Sequence, residues 1–510
     1  MTSTDTAGGG SRAAITACVI VATLMQALDT TIANVALPYM QGSVSASQDQ
    51  IDWVLTSYIA VAAIMTPPTG FLTARFGLKR VFLVSIGGFT LASMLCGMAQ
   101  SLTQIVLFRM LQGACGAALV PLSQSVLFTI YPKERHGFAM ALFGFGVMVG
   151  PVLGPVLGGW LTENYSWRYV FYINLPIGLL DLLAMIAFLP DPKPEGGEKL
   201  DWLGFGTLSV AIAALQILLD RGEIKDWLSS GEIIIETIVC CSALYLFLVH
   251  TFTAERPFVR PVLFRDRNFA AGVILIAIVG LTYYASLALQ PPYLQVLMDY
   301  PVVTAGLVMG PRGIGTMASM LVVGRLTGRL DTRLLLGIGL GLTAWSFYAM
   351  TGWTPDVSAA QIVGVTVVQG IGLGFLFVPL SAAALSTLPP EDRTNGAGLF
   401  NLARNIGSSV GISVVNALIT RNTQINHADI SQHVTAVNRA FENPAIAHFW
   451  NPLTAAGRAA LDGVITRQAQ IIAYLDDYKL LLIATLAVIP LLAAFKRSGS
   501  SGAGGTVVVD

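Results

Sequence analysis

The chain has 510 residues, 54% hydrophobic and only 11% charged, with 29 Lys plus Arg balancing 29 Asp plus Glu and a mean hydropathy of +0.68. Soluble chains carry about 25% charged residues, so a water-soluble enzyme is excluded; the apolar content excludes disorder, and the absence of a basic excess excludes a nucleic-acid binder. What remains is a polytopic membrane protein.

Apolar runs long enough to cross a bilayer lie near 14–36, 52–72, 81–99, 102–121, 137–161, 167–189, 201–219, 232–253, 268–290, 303–325, 333–352, 359–381, 395–419 and 478–495. The first carries Asp29 and lacks a small-residue cleavage site, so it reads as a span and not as a signal peptide. An all-α membrane fold of fourteen helices follows. Basic residues gather in alternate loops (Arg75, Lys79, Arg80, Lys133, Arg135, Arg256, Arg260, Arg265, Arg267), while the short opposite loops hold Arg168, Arg221 and Lys225. By the positive-inside rule both termini are cytoplasmic.

Polar segments at 190–200 and 254–267 bracket spans 7 and 8, which read as a hairpin inserted between two six-span halves. The organisation expected is therefore 1–189 as the first half, 190–267 as linker and hairpin, and 268–419 as five spans of the second half. An outer segment at 420–477, packed over the outer face, and the last span with its tail at 478–510 complete it. The tail from 496 is Gly/Ser-rich and reads as disordered. The loop G-F-L-T-A-R-F-G-L-K at 70–79 is echoed by G-R-L-T-G-R-L-D-T-R at 324–333, each after the second span of its half. Parallel six-helix repeats suit a transporter with its site at their interface.

Charges inside the spans are few: Asp29, Arg109, Asp181, Arg312 and Arg404. Each costs roughly 2.5–3.5 kcal/mol at a helix centre, so each needs a cavity or a partner. Asp29 lies seven residues before the outer end of span 1 and Arg109 seven residues after the outer start of span 4. Both are thus about 10 Å deep and can pair if the helices adjoin. Two readings stay open: Asp29 as proton carrier with Arg109 setting its affinity, or a permanent pair that fixes packing. Asp181 is a second proton-coupling candidate or a snorkelling residue. Arg312 and Arg404, with the amides Gln26, Asn34, Gln112, Gln369 and Asn401, mark a substrate cavity or interhelical hydrogen bonds. Gln290 reads the same way.

Span 5 holds Gly146, Gly150, Gly154 and Gly158 at four-residue spacing, with Gly159, Pro151 and Pro155 beside them. The glycines permit close backbone approach and the prolines permit bending, which suits a gating helix. Gly70, Arg75, Gly77, Lys79 and Arg80 form either an inner gate or a topology marker. Aromatic and methionine side chains in the spans can wall an adaptable surface for apolar ligands. No phosphate loop is present, so ATP is not the expected energy source. His427, His433 and His448 lack metal-ligand spacing, so no metal or other cofactor is expected.

The loop 70–80 resembles the major facilitator superfamily motif between its second and third helices, although Ala74 stands where that motif has an Asp. L-F-R-M-L-Q-G-A-C-G-A-A (107–118), G-V-M-V-G-P-V-L-G-P-V-L-G-G-W (146–160) and L-D-T-T-I-A-N-V-A-L-P (28–38) resemble the fourteen-span drug:proton antiporters of the EmrB/QacA type. So do W-R-Y-V-F-Y-I-N-L-P-I-G (167–178) and L-L-D-R-G-E-I-K-D-W (218–227). The outer segment with A-Y-L-D-D-Y points to the EmrB branch. The resemblance implies a major facilitator fold and proton-driven export of hydrophobic or amphiphilic drugs from the bacterial inner membrane. It also implies two partners: a periplasmic membrane-fusion protein (EmrA-like) and an outer-membrane channel (TolC-like). A stand-alone exporter or a uniporter of one metabolite in the same fold is the alternative.

Overall fold

The computed structural model describes residues 9–190, 200–434, 441, 450, 451 and 453–495. The linker run 191–199, His448 and the tail 496–510 lie outside the described residues. Within a bilayer every backbone N–H and C=O must be satisfied internally, and the chain meets this with long helices. These are α1 (Gly9–Ser43), α2 (Trp53–Met65 continued by Thr69–Phe76), α3 (Leu78–Met98), α4 (Leu102–Gly116 continued by Leu119–Ile130), α5 (His136–Asn164) and α6 (Tyr169–Tyr172 continued by Asn174–Phe188). The inserted hairpin is α7 (Trp202–Arg221) and α8 (Gly231–Thr253). The second half is α9 (Arg267–Pro292, then a π-helical turn Tyr293–Leu297), α10 (Val302–Leu326), α11 (Thr332–Met350), α12 (Ala359–Ser386), α13 (Arg393–His433) and α14 (Ala455–Ala487). Thirteen are long and apolar enough to cross a membrane singly; α2, bent by 56° at its break, is the fourteenth. The bend falls at Thr66-Pro67-Pro68, where proline removes amide donors from the helical ladder.

The helix pairings repeat in the two halves: α1 on α5 as α9 on α13, α2 on α4 as α10 on α12, and α3 on α6 as α11 on α14. The repeated loop performs the same task in each. Lys79 Nζ donates to the Ile186 carbonyl at the end of α6, 2.9 Å away, and Arg333 Nε donates to the Phe495 carbonyl beyond the end of α14, also 2.9 Å away. Both place a cation at a helix C-terminus, where free carbonyls and the dipole favour it. Arg75 and Arg80 are exposed, and Gly77, at φ 90°, takes the left-handed turn between α2 and α3.

Contacts of Arg12 with Tyr131, Arg393 with Phe128, Gly137 with Thr327 and Arg333 with Phe495 lie at one end of the bundle. Both ends of the described chain therefore share a face, called here the terminal face. On that side the halves are shut: Asn401 Nδ2 donates to Gln124 Oε1 at 2.7 Å, Ser125 Oγ and Thr394 Oγ1 are 2.7 Å apart, and Phe143 stacks on Phe377. Gly70 lies against the Asn395 side chain. The hairpin bridges the halves elsewhere. Leu208 and Ile212 of α7 share an apolar cluster with Ala63 of α2 and Leu402 of α13, and Ser409 Oγ donates to Gln216 Oε1 at 3.0 Å.

The described parts of the outer segment are helical. They continue α13 to His433 and begin α14 at Ala455, and these extensions pack on each other, with His427 2.9 Å from Asp462. Helical hydrogen bonding propagates through polar sequence once a span has nucleated it.

Candidate functional site

In the first half α4 and α6 converge on a carboxylate of α1, and α2 holds the arginine that pairs with it. Asp29 Oδ2 accepts from Arg109 Nη1 at 2.6 Å, and Oδ1 accepts from Gln112 Nε2 at 2.7 Å and from Asn174 Nδ2 at 3.0 Å. Arg109 Nη1 also donates to Gln112 Oε1 (2.8 Å), its Nε donates to the Val54 carbonyl (3.1 Å), and its guanidinium lies 4.1 Å from the Tyr58 ring centroid. Asp29, Arg109, Gln112 and Asn174 are all 0% exposed. The sequence places Asp29 and Arg109 at equal depth, and here they touch. Charge-assisted bonds of this length hold an ionised carboxylate strongly. Gln112 is therefore a member of this node and does not line a cavity.

Gln26, half-buried, donates to Tyr58 Oη at 3.4 Å, and Arg109 lies over the Tyr58 ring. Asn34 is exposed on the far part of α1. Asn174 was missed from the sequence, although an amide in an apolar span is the same signal that marks Gln112.

The second half has a matching node without an acid. Arg312 Nη2 donates to Gln369 Oε1 and to Ser286 Oγ (3.1 Å), and Gln369 Nε2 donates to Ser286 Oγ (3.0 Å). Ser286 and Gln369 each lie 257 positions after Asp29 and Gln112 (286 − 29 and 369 − 112). Arg312, Gln369 and Asn401, which mark either a cavity or interhelical hydrogen bonds, are buried and each bonds to another helix, but Arg312 Nε and Nη1 and Asn401 Oδ1 have no hydrogen-bond partner among the described residues. Arg404 is half-buried and lines a central pocket with Met148, Tyr283, Tyr284, Leu373 and Phe377.

Asp181 is 4% exposed and neither of its oxygens has a hydrogen-bond partner among the described residues. It does not join the Asp29 node. A further acid, Asp477, was read as lying outside the last span and is in fact within the bundle. Arg467 Nη2 donates to the Leu297 carbonyl at 2.6 Å, so α14 is already level with the far end of α9 ten residues before Asp477. That sets Asp477 about 15 Å below that level.

Along α5 the glycines meet α1. A Cβ on Gly150 would lie 2.5 Å from the Ala27 carbonyl carbon, Gly154 faces Thr31, and Gly146 and Gly158 face Ile20 and Ile32. Gly159 has open space around it. The helix continues unbroken through Pro151 and Pro155, and the Pro155 side chain is not among the described ones.

Two repeated six-helix bundles, shut at one face around polar nodes buried in the membrane, define a multi-pass secondary transporter. The Major Facilitator Superfamily model matches residues 19–412, and the chain belongs to that superfamily, whose members are transporters and not enzymes. It is 34% identical over 500 residues to the fatty acid resistance protein FarB of Neisseria gonorrhoeae, covering 98% of each chain. It is 36% identical over 433 residues to the multidrug export protein EmrB of Escherichia coli (strain K12), covering 84% of each. The fold is that of the human organic anion transporter MFSD10 (TM-score 0.58, 14% identity, 93% of this chain and 99% of that one). The proton:xylose symporter XylE shares it as well (TM-score 0.58, 13% identity, 92% and 96%).

Proposed function

We infer that the chain is a proton-driven exporter of hydrophobic and amphiphilic toxic compounds, set in the bacterial inner membrane with both termini in the cytoplasm. The observation that carries this is the four-helix node on Asp29. A carboxylate held by Arg109, Gln112 and Asn174 ties α1, α4 and α6 together only while it is charged. Protonation removes the attraction to Arg109 and frees α1 to move against α5. The basic loops make the terminal face cytoplasmic, so the conformer described is closed to the cytoplasm. A proton then arrives from outside past Gln26 and Tyr58 and leaves to the cytoplasm when the halves rock the other way. Cargo bound at the interface travels outward in the same cycle. The names of the relatives, multidrug export and fatty acid resistance, support the direction and the cargo class.

In this conformer the central crevice is too narrow for cargo, but the residues around it support amphiphilic cargo once the halves part. Tyr283, Tyr284, Met148 and Phe377 offer an adaptable apolar wall, and Arg404 forms no ion pair among the described residues. In proteoliposomes with an imposed pH gradient, the wild-type chain should move a long-chain fatty acid and an apolar dye against their gradients. Arg404→Gln should reduce fatty-acid transport about tenfold, the worth of one charge-assisted contact, and leave the neutral dye unchanged. Transport indifferent to the gradient would sink the proton-driven reading and leave a uniporter.

The helical extensions of α13 and α14 beyond the far face suit a docking post for a periplasmic membrane-fusion protein that leads to an outer-membrane channel. Replacing 424–463 by a short Gly/Ser linker should abolish drug resistance in cells while transport in proteoliposomes persists. Unchanged resistance would favour a pump that works alone.

A further inference from the structure

The second half lacks an acid at the position of Asp29, yet it buries one elsewhere. Asp477 is 1% exposed, and neither carboxylate oxygen has a hydrogen-bond partner among the described residues. Its neighbour Asp476 is paired with Lys479 at 2.9 Å. One residue is about 100° of helix rotation, which turns Asp476 outward and Asp477 into the bundle. There it meets a cluster of rings: Tyr293 lies 5.6 Å from Tyr474 and 5.7 Å from Trp353, and Trp353 lies 5.7 Å from Tyr478. The hydroxyls of Tyr293 and Tyr478 and both amide atoms of Gln290 are likewise buried without partners.

The charged and titratable groups around Asp477 are Tyr474, Tyr478 and Asp476 on its own helix, Tyr293 from the π turn after α9, and Arg312 of α10, which acts on Tyr478 from the other side. The faces that α11 and α13 bring to the cluster are apolar: Phe347, Met350, Val415 and Ile419. Arg312 bonds Gln369 and Ser286 through Nη2 alone, with Nε and Nη1 unpartnered and no ion pair to Asp477, and Arg467 bonds Leu297 and Asp299. An ionised carboxylate in this position would have no cation paired with it among the described residues, an arrangement that burial makes costly. Among the described residues no group of three His, Cys, Asp or Glu side chains could hold a metal ion.

We propose that Asp477 is a second proton-binding site of the transporter, protonated in the conformer closed at the terminal face and unloaded when the halves rock. The step is the gain or loss of one H⁺ at a carboxylate oxygen, with the neighbouring hydroxyls of Tyr474 and Tyr478 to relay it. The site is separate from the Asp29 node, lies in the other half, and sits near the depth of Arg312: Asp477 is ten residues past Arg467, which meets the far end of α9, and Arg312 is ten residues past Val302 at the start of α10. The proposal rests on the proton-driven reading for its role in the cycle but not for its protonation state.

Infrared spectra of the purified full chain in lipid nanodiscs, recorded as pH is raised, test the protonation state directly. The wild type should show protonated-carboxyl C=O bands at neutral pH. Asp477→Asn should lose one of them, Asp477→Glu should move it, and Asp181→Asn should leave it in place. If Asp477→Asn does not fold, the Asp477→Glu shift carries the test. An Asp477→Asn spectrum with every protonated-carboxyl band intact, or a band that responds to sodium and not to pH, overturns the proposal. In proteoliposomes Asp477→Asn should halve the number of protons moved per cargo molecule. An unchanged ratio in the variant overturns the proposed role in the cycle. A wild type that moves no protons with cargo instead removes the proton-driven function and leaves the infrared result to stand by itself.

Discussion

Asp29→Asn is expected to abolish proton-coupled transport and to lower stability, two effects that a second substitution separates. Asparagine keeps the shape of the side chain but leaves Arg109 charged, fully buried and without its counter-ion. Breaking a buried pair from one side costs about 3–5 kcal/mol. The remaining bonds of Arg109 to Gln112 Oε1 and the Val54 carbonyl and its stacking over Tyr58 recover only part of this. Thermal unfolding in detergent should show the loss. Combining Asp29→Asn with Arg109→Gln replaces the ion pair by neutral amides and should restore most of the stability without restoring coupling. If the pair served packing alone, the double variant would regain transport along with stability. Wild-type transport and an intact proton response in Asp29→Asn would remove Asp29 from the carrier role.

Gly150→Ala should block transport as effectively as a much larger change elsewhere, because the obstacle is backbone and not side chain. The new methyl would sit 2.5 Å from the Ala27 carbonyl carbon and 2.7 Å from the Leu28 nitrogen, and neither can rotate away. The helices must part, at a cost of about 1–3 kcal/mol for overpacking. The separation falls two residues before Asp29, so it also pulls Asp29 from Arg109. Gly159→Ala, one face away with nothing near it, should keep wild-type transport and expression. Gly154→Leu should behave like Gly150→Ala, since it collides with Thr31. Equal activity of Gly150→Ala and Gly159→Ala would show that α1 and α5 need no close approach during the cycle.

Much of this architecture is legible in the sequence because the bilayer is a simple solvent. A span needs about twenty apolar residues, so the fourteen runs and the repeated loop can be counted, and equal depth brings Asp29 and Arg109 together on paper. Depth does not give azimuth. Nothing local says that Gln112 and Asn174 complete the node, that Ser286 and Gln369 hold Arg312, or that Asn401 reaches Gln124 across the interface. Pro67-Pro68 announces the bend in α2, but its 56° angle is set by packing. The last span shows the limit most clearly. A-Y-L-D-D-Y looks like a polar approach to the membrane, and hydropathy stops at 478. The helix runs on through it and turns Asp476 outward to Lys479 and Asp477 into an aromatic core.

Chain chemistry by itself determined how many times the protein crosses the membrane, that its halves repeat, and which few charges lie among apolar residues, since those follow from transfer free energies that each segment carries alone. Which of those charges are paired, which are left unpartnered, and which face of the molecule is shut were decided only by the tertiary structure. They depend on how helices distant in sequence rotate against one another, and only their packing fixes those angles.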